Sequence, residues 1–253
     1  GRWFDPGFKK DDSAERRAER LWSAKEADAI AAACRGRTGS VTDETKPVTQ
    51  LSPLLFDLTS LQREANGRFG FSARTTLSIA QALYERHKVL TYPRTDSRAL
   101  PEDYLSTVKK TLELLAENRE YAPFAKNVLR KNLVRPNKRV FDNAKVSDHF
   151  AIVPTLQLPK HLNEVEHKLY DLVVRRFLAV FHPAAEYLQT TRITQVGEHS
   201  FKTDGRILQA PGWLASYGRA VQEESQNLPP VDAGEAVAVV EVDGRVAVAH
   251  RAA

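Results

Sequence analysis

Apolar positions recur at three- and four-residue intervals through most of the chain up to Phe181, and from Glu186 the period changes to two. The first pattern predicts a helix over SAERRAERLWSAKEADAIAAACRG, with Ser13 as its N-cap and Gly36 just beyond its end. It predicts a second over LTSLQREAN, capped by Asp57 and stopped at Gly67. A third follows in ARTTLSIAQALYER, capped by Ser72, with Leu77, Ala80, Leu83 and Tyr84 on one face. Pro101 opens a helix through EDYLSTVKKTLELLAEN, and YAPFAKNVLRK gives another. NEVEHKLYDLVVRRFLAVF is the clearest, with Asn163 and Glu166 spaced as a capping box and Leu169, Leu172, Val173 and Phe177 facing inward.

The two-residue period predicts strands in EYLQTTRITQV, HSFKTDGRILQA and AVAVVEVDGRVAVAH, with Asp204-Gly205 and Asp243-Gly244 as hairpin signals. GSVTDETKPVTQL reads as extended, and Pro47 favours an edge strand. Val89 to Tyr92 reads as a strand that Pro93 ends, since proline has no N–H for a ladder. Two helices joined by GRFGF and followed at once by that strand resemble a helix-turn-helix with the start of a wing. A helical middle between β-bearing ends predicts an α+β chain in which one domain is inserted into another. The inserted part is residues 52–190, flanked by 1–51 and 191–253. There is no internal repeat, and QEESQNLPPVDAG is the best candidate for a flexible linker.

The 253 residues are enough for one large domain or two modest ones with a real core. No apolar run approaches the ~20 residues of a membrane span, and GRWFDPGFKK has no signal-peptide character, so a cytoplasmic location is expected. One cysteine, Cys34, excludes an intramolecular disulfide and a thiolate zinc cluster; its setting, IAAACRG, suits the buried end of a helix. Gly1 as the first residue and the absence of methionine lead us to expect a piece of a longer chain. The net charge of +5 is unevenly spread: residues 61–100 and 131–150 together carry +7, and the remainder carries −2. Such concentration of basic residues fits a polyanion-binding groove, although charge runs are often only solvated faces.

The basic windows surround VLTYPRTDSR. The run FDLTSLQREANGRFGFSARTTLSIAQALYERHKVLTYPRTDSRALPEDYL, followed about fifty residues on by VSDHFAIVPT, resembles a type IA DNA topoisomerase, within the bacterial topoisomerase III branch. The resemblance spans Leu51 to Phe181. It implies that the matching tyrosine, Tyr92, attacks a phosphodiester of single-stranded DNA, becomes linked to the 5′-phosphate, and is released when the 3′-hydroxyl reseals the gap after strand passage. A phenol, with an ordinary pKa near ~10, is a much better leaving group than an alkoxide, so the step reverses without ATP. Arg94 projects to the same side as Tyr92 if residues 92–94 are extended, and would hold the phosphate oxygens. His149 matches the family histidine that contacts the phosphate or aids proton transfer.

Arg74, Arg98, Lys138, Arg139 and Lys145 are candidate contacts to the DNA backbone. The family also requires Mg²⁺, held by a glutamate and alternating aspartates. Asp11-Asp12, Asp43-Glu44 and Glu102-Asp103 do not form that pattern, so no metal site is assigned in this chain. The expected partners are therefore single-stranded DNA and the N-terminal metal-binding and C-terminal segments of the same enzyme; a monomer, inactive by itself, is expected. By the resemblance, 52–190 is the tyrosine-bearing domain and its flanks form a β-rich gate. The alternative is a winged-helix DNA-binding module without enzymatic activity, in which Tyr92 is structural.

Overall fold

The computed structural model describes residues 1–9, 17–218, 228, 231–232, 236–239 and 241–242. The chain divides into two units. The first takes residues 1–48 and 187–209 together with the described residues beyond 225, and the second takes 49–186 and the described residues from 210 to 218.

The first unit is a five-stranded sheet with one helix. In chain order it holds β1 (Arg2–Phe4), α1 (Ala24–Cys34), β2 (Thr38–Gln50), β3 (Ala185–Val196), β4 (His199–Ala210) and β5 (Ala236–Ala238). The strand order is β1-β4-β3-β2-β5. β1 lies antiparallel to β4 with Trp3 opposite Phe201, and β5 antiparallel to β2 with Val237 opposite Gly39. β5 covers only Thr38 to Ser40 of β2, leaving the half that contains Pro47 without a described neighbour on that side. Asp43 of β2 takes both Nε and Nη2 of Arg192 on β3 at 2.8 Å, tying the two strands by a bidentate ion pair.

Two expectations fail in this unit. The helix begins at Ala24, capped by the Ser23 hydroxyl on the Glu26 amide. The described residues 17–22 before it form turns, and Ser13 lies outside the described residues. Ser23 and Glu26 have capping-box spacing, a stop for the preceding turn that the alanine-rich periodicity hid. The Asp204-Gly205 pair makes no turn. β4 runs through it because β1 and β3 pair on its two sides, while Asp204 accepts from the Thr191 hydroxyl at 2.9 Å. The turn between β3 and β4 is Gly197-Glu198, where Gly197 adopts φ 59°, a left-handed value that glycine takes without steric cost. Asp243-Gly244 and most of the expected linker lie outside the described residues. The buried end expected for Cys34 is present, with the thiol fully enclosed.

The second unit is helical: α2 (Leu58–Phe69), α3 (Ala73–Glu85), α4 (Leu105–Leu115), α5 (Ala122–Arg130) and α6 (Glu164–Ala179), with 3₁₀ turns at Glu102–Tyr104, Asn143–Lys145 and Gly212–Tyr217. Asp57, Ser72 and Asn163 cap α2, α3 and α6 through their side chains, and Asn163 with Glu166 forms the full capping box. α2 continues through Gly67 and stops at Gly70, at φ 70°, whose N–H bonds the Asn66 carbonyl. The extra turn lets Phe69 pack on the core and against Phe71, with ring centroids 5.3 Å apart.

One core runs from Leu55 to Phe181 and centres on α6, whose Leu169, Val173 and Phe177 are fully enclosed. Arg176 of α6 is also buried. Its guanidinium donates to the Leu54 carbonyl at 2.9 Å and the Tyr217 hydroxyl at 2.7 Å, and it pairs with Glu64 of α2. Trp213 donates its indole N–H to the Gln50 carbonyl at 2.8 Å, which fixes the 3₁₀ turn within this unit.

The expected strand Val89 to Tyr92 and a two-stranded wing do not form. Leu90 makes a single antiparallel bridge to Pro154, through Thr91 N–H to the Val153 carbonyl and Thr155 N–H to the Val89 carbonyl, both at 3.0 Å. Pro93 has no N–H for the next rung, and Lys88 at φ 59° takes the chain out of extended geometry at the other end, so the ladder does not lengthen. The helix pair α2 and α3 is present, followed by an extended loop.

Candidate active site around Tyr92

Three largely irregular segments meet beside α3: residues 52–57, 89–100 and 139–155, the last containing the 3₁₀ turn Asn143–Lys145. Isolated bridges join Phe56 to Ile152, Leu90 to Pro154 and Leu100 to Phe141, and Leu58 N–H reaches the Thr95 carbonyl at 3.0 Å. Side-chain hydroxyls complete what backbone pairing leaves undone. Thr91 Oγ1 donates to the Ala151 carbonyl and accepts from Val153 N–H, both at 2.9 Å. Thr95 Oγ1 donates to the His149 carbonyl at 3.1 Å, and Ser97 Oγ to the Lys145 carbonyl at 2.7 Å.

Pro93, Thr95, Ser97 and Ala99 are buried, whereas Tyr92, Arg94, Asp96 and Arg98 retain exposure. That two-residue alternation leaves the even-numbered side chains accessible, but the chain bends at Pro93-Arg94, so the fully extended 92–94 geometry expected from the sequence is not what relates Tyr92 to Arg94. The three hydroxyls were not singled out from the sequence. Their signal was available, because small hydroxylated residues on the inward positions of a proline-broken segment must find partners when buried.

Tyr92 is half-buried, and its hydroxyl makes no hydrogen bond among the described residues. Its ring lies against His149, centroids 4.1 Å apart at 37°, and makes a T-shaped contact with Tyr84 of α3 at 5.4 Å and 82°. His149 and Arg94 are exposed, and Arg94 has no ion pair among the described residues. A phenol packed on an imidazole, with an unpaired guanidinium two residues along the chain, can supply a nucleophile, a proton carrier and an anion clamp.

The five expected phosphate contacts fare differently. Arg74 is exposed and unpaired in the first turn of α3, where the helix dipole opposes a cation. Arg98 donates Nε to the Leu55 carbonyl at 3.1 Å, and Arg139 donates both Nη groups to Ser52. Burial and the neighbouring Arg98 pull the Arg139 guanidinium below its ordinary pKa. These two arginines pin residues 52–55 to the site. Lys138 bonds Glu102 at 2.5 Å and Lys145 bonds Asp142 at 2.9 Å. Each carboxylate is thereby held below the usual range. Among the described residues no group of three or more His, Cys, Asp or Glu side chains is placed to hold a metal ion.

The sequence profile of the DNA topoisomerase family matches residues 4–247. DNA topoisomerase 3 of Bacillus cereus is 44% identical over 205 residues, 78% of this chain and 28% of that protein. The Bacillus licheniformis and Bacillus subtilis proteins of the same name are 42% and 43% identical over 87% and 79% of this chain. The chain thus spans about a third or less of the length of these relatives. Full-length topoisomerase I from Thermotoga maritima shares the fold, with a TM-score of 0.58 at 24% identity over 90% of this chain and 36% of that one. With its α+β architecture and a YPRTDSR segment held against HFAIVPT, the chain belongs to the DNA topoisomerase family, in the type IA branch that contains the bacterial topoisomerase 3 proteins.

Proposed function

We propose that this chain supplies the strand-cleaving gate of a type IA DNA topoisomerase, with Tyr92 as nucleophile. The phenol oxygen attacks a phosphodiester of single-stranded DNA as its proton leaves. A tyrosine O–P bond forms, the bond to the 3′-oxygen breaks, and a 5′-phosphotyrosine and a free 3′-hydroxyl remain. Another strand passes and the reverse displacement reseals the break, which gives relaxation or decatenation without ATP. We assign Arg94 to the non-bridging oxygens of the phosphate, and His149 to the phenol proton or the same phosphate. Arg74 is the best-supported of the backbone contacts, because its charge is unspent; Arg98, Arg139, Lys138 and Lys145 already serve partners within the chain. The observation that carries this reading is the contact of the two motifs, the Tyr92 ring lying 4.1 Å from the His149 ring with the exposed, ion-pair-free Arg94 two residues on.

Mg²⁺ belongs to this reading only as an ion held by residues other than those described, and no step is derived through it. The N-terminal metal-binding and C-terminal segments of such an enzyme are the proposed protein partners, in a cytoplasmic monomer. No helix among the described residues is long and apolar enough to cross a membrane.

The test grafts residues 49–186 of this chain into the matching segment of Bacillus cereus DNA topoisomerase 3 and traps protein on a labelled 5′-phosphate under denaturing conditions. Tyr92→Phe should abolish trapping, while the thermal midpoint of the 253-residue chain hardly moves, because no hydrogen bond is lost. Arg94→Ala should slow trapping by about 10²-fold and leave some cleavage. Trapping by the phenylalanine variant would remove Tyr92 from the nucleophile's role.

A further inference from the structure

With its hydroxyl unbonded, the direction of the Tyr92 ring depends on what touches the ring itself. One neighbour, His149, is exposed, and its backbone is fastened by its carbonyl to Thr95. The other, Tyr84, stands on the last turn of α3, next to the fully enclosed Leu83. Lys88 then leaves the helix in a left-handed conformation, φ 59°, a region that lysine seldom adopts. That conformation is secured on both sides, since Val89 N–H bonds the Leu83 carbonyl at 2.9 Å and the Thr155 hydroxyl bonds the Lys88 carbonyl at 2.7 Å. It keeps the Lys88 ammonium 5.7 Å from the centre of the Tyr84 ring, four residues back.

We propose that Tyr84 is a positioning residue for Tyr92, and that Lys88 holds Tyr84 to that task. The proposal rests on the reading of Tyr92 as nucleophile. A cation over one face of Tyr84 and an edge contact between the two tyrosine rings form a rigid arm from α3 to the phenol, independent of the exposed His149 segment. In-line attack requires the phenol oxygen at a fixed distance and angle from phosphorus, and an ångström of misplacement costs about 10²-fold in rate. An edge-to-face aromatic pair shifts a conformational equilibrium by up to about tenfold, so its loss should be read in the chemical step and not in DNA affinity.

The graft described above provides the assay, with single-turnover adduct formation measured at saturating single-stranded DNA and the dissociation constant measured separately. Tyr84→Leu should lower the rate about tenfold and leave the dissociation constant within about twofold, because leucine fills a half-buried site but offers no aromatic ring for the T-shaped contact. Tyr84→Phe should restore the rate, since the ring and not its hydroxyl makes the contact. Lys88→Gln, at an exposed position where folding is not at risk, should lower the rate about threefold. In the 253-residue chain with labelled tyrosines, Tyr84→Leu should shift the Tyr92 ring resonances in the NMR spectrum and leave those of the buried Tyr170 in place.

A leucine variant with an unchanged rate, a loss that follows the dissociation constant, or a phenylalanine variant as slow as the leucine one overturns the proposal. An unchanged rate in Lys88→Gln removes Lys88 from it. Tyr92→Phe separates the two levels: if it abolishes trapping while Tyr84→Leu is without effect, only the positioning role falls, whereas trapping by Tyr92→Phe removes the nucleophile itself.

Discussion

The Thr95 hydroxyl serves two backbone groups at once, donating to the His149 carbonyl and accepting the Ser97 amide, both at 3.1 Å. Valine has nearly the same shape but no hydroxyl. Thr95→Val therefore leaves an amide and a carbonyl unpaired in a site that is 6% exposed, and should cost about 1–3 kcal/mol in urea unfolding. Thr95→Ser should recover most of the loss, a pattern that a purely steric role would not give. Tyr92, Arg94 and His149 could be named from the sequence because their motif is long. The work of Thr95 was legible only as a need for a partner, because the group that meets it lies 54 residues away and nothing local says which it is. The same holds for Arg98 and Arg139, which read as free cations until the carbonyls of Leu55 and Ser52 are seen to occupy them.

α6 has a titrating group at each end, and both act in the same direction. Near its start, burial works against the charge of Glu166, but the Asn163 amide, His87 and Arg86 outweigh burial and hold the carboxyl below the usual carboxylate range. Just past its end, burial pushes the His182 imidazole below its ordinary value. The bond to the Leu178 carbonyl opposes that shift and the Lys131 charge adds to it. A group depressed in the folded state contributes stability above its ordinary pKa and loses it as pH falls through the folded value. Unfolding midpoints in urea should therefore fall in two stages, from about pH 6.5 downward through His182 and from about pH 4.3 downward through Glu166. The part-buried Asp43 and the exposed Glu164, also held low, add to the second stage. His182→Gln should flatten the first stage alone. At this scale the sequence was legible wherever a cap is local, as at Asp57, Ser72 and Asn163. It misled where two signals competed: Gly67 against Gly70 for the end of α2, and Gly197 against Asp204-Gly205 for the turn. Which of two adequate turn residues is used depends on what packs or pairs beyond it, and that is tertiary information.

Over the whole molecule, the basic windows are less available than their +7 suggests. Arg68, Arg86, Lys138 and Lys145 are paired with Glu64, Glu166, Glu102 and Asp142. Arg63, Arg74, Lys88, Arg94, Lys131 and Arg135 are exposed and carry no ion pair among the described residues. Single-stranded DNA should therefore bind weakly and with little sequence preference. With ~0.7 counterions released per contacted phosphate, contacts from half to all of these six give a slope of log affinity against log salt between about −2 and about −4. A fluorescence anisotropy titration that found a slope near zero would remove the electrostatic groove. The single bridge at Leu90 has a further consequence, for solvent exchange. Around Tyr92 the chain is held by threonine and serine hydroxyls and by carbonyls of residues far away, while the amides of Tyr92, Arg94, Asp96 and Arg98 have no hydrogen-bond acceptor among the described residues. Deuterium should enter those amides quickly, yet spare Thr91 and Leu100 at the two bridges. An exchange map would thus colour the loop as open although its side chains fix it in place, and amide protection here is a poor gauge of how firmly the phenol is aimed.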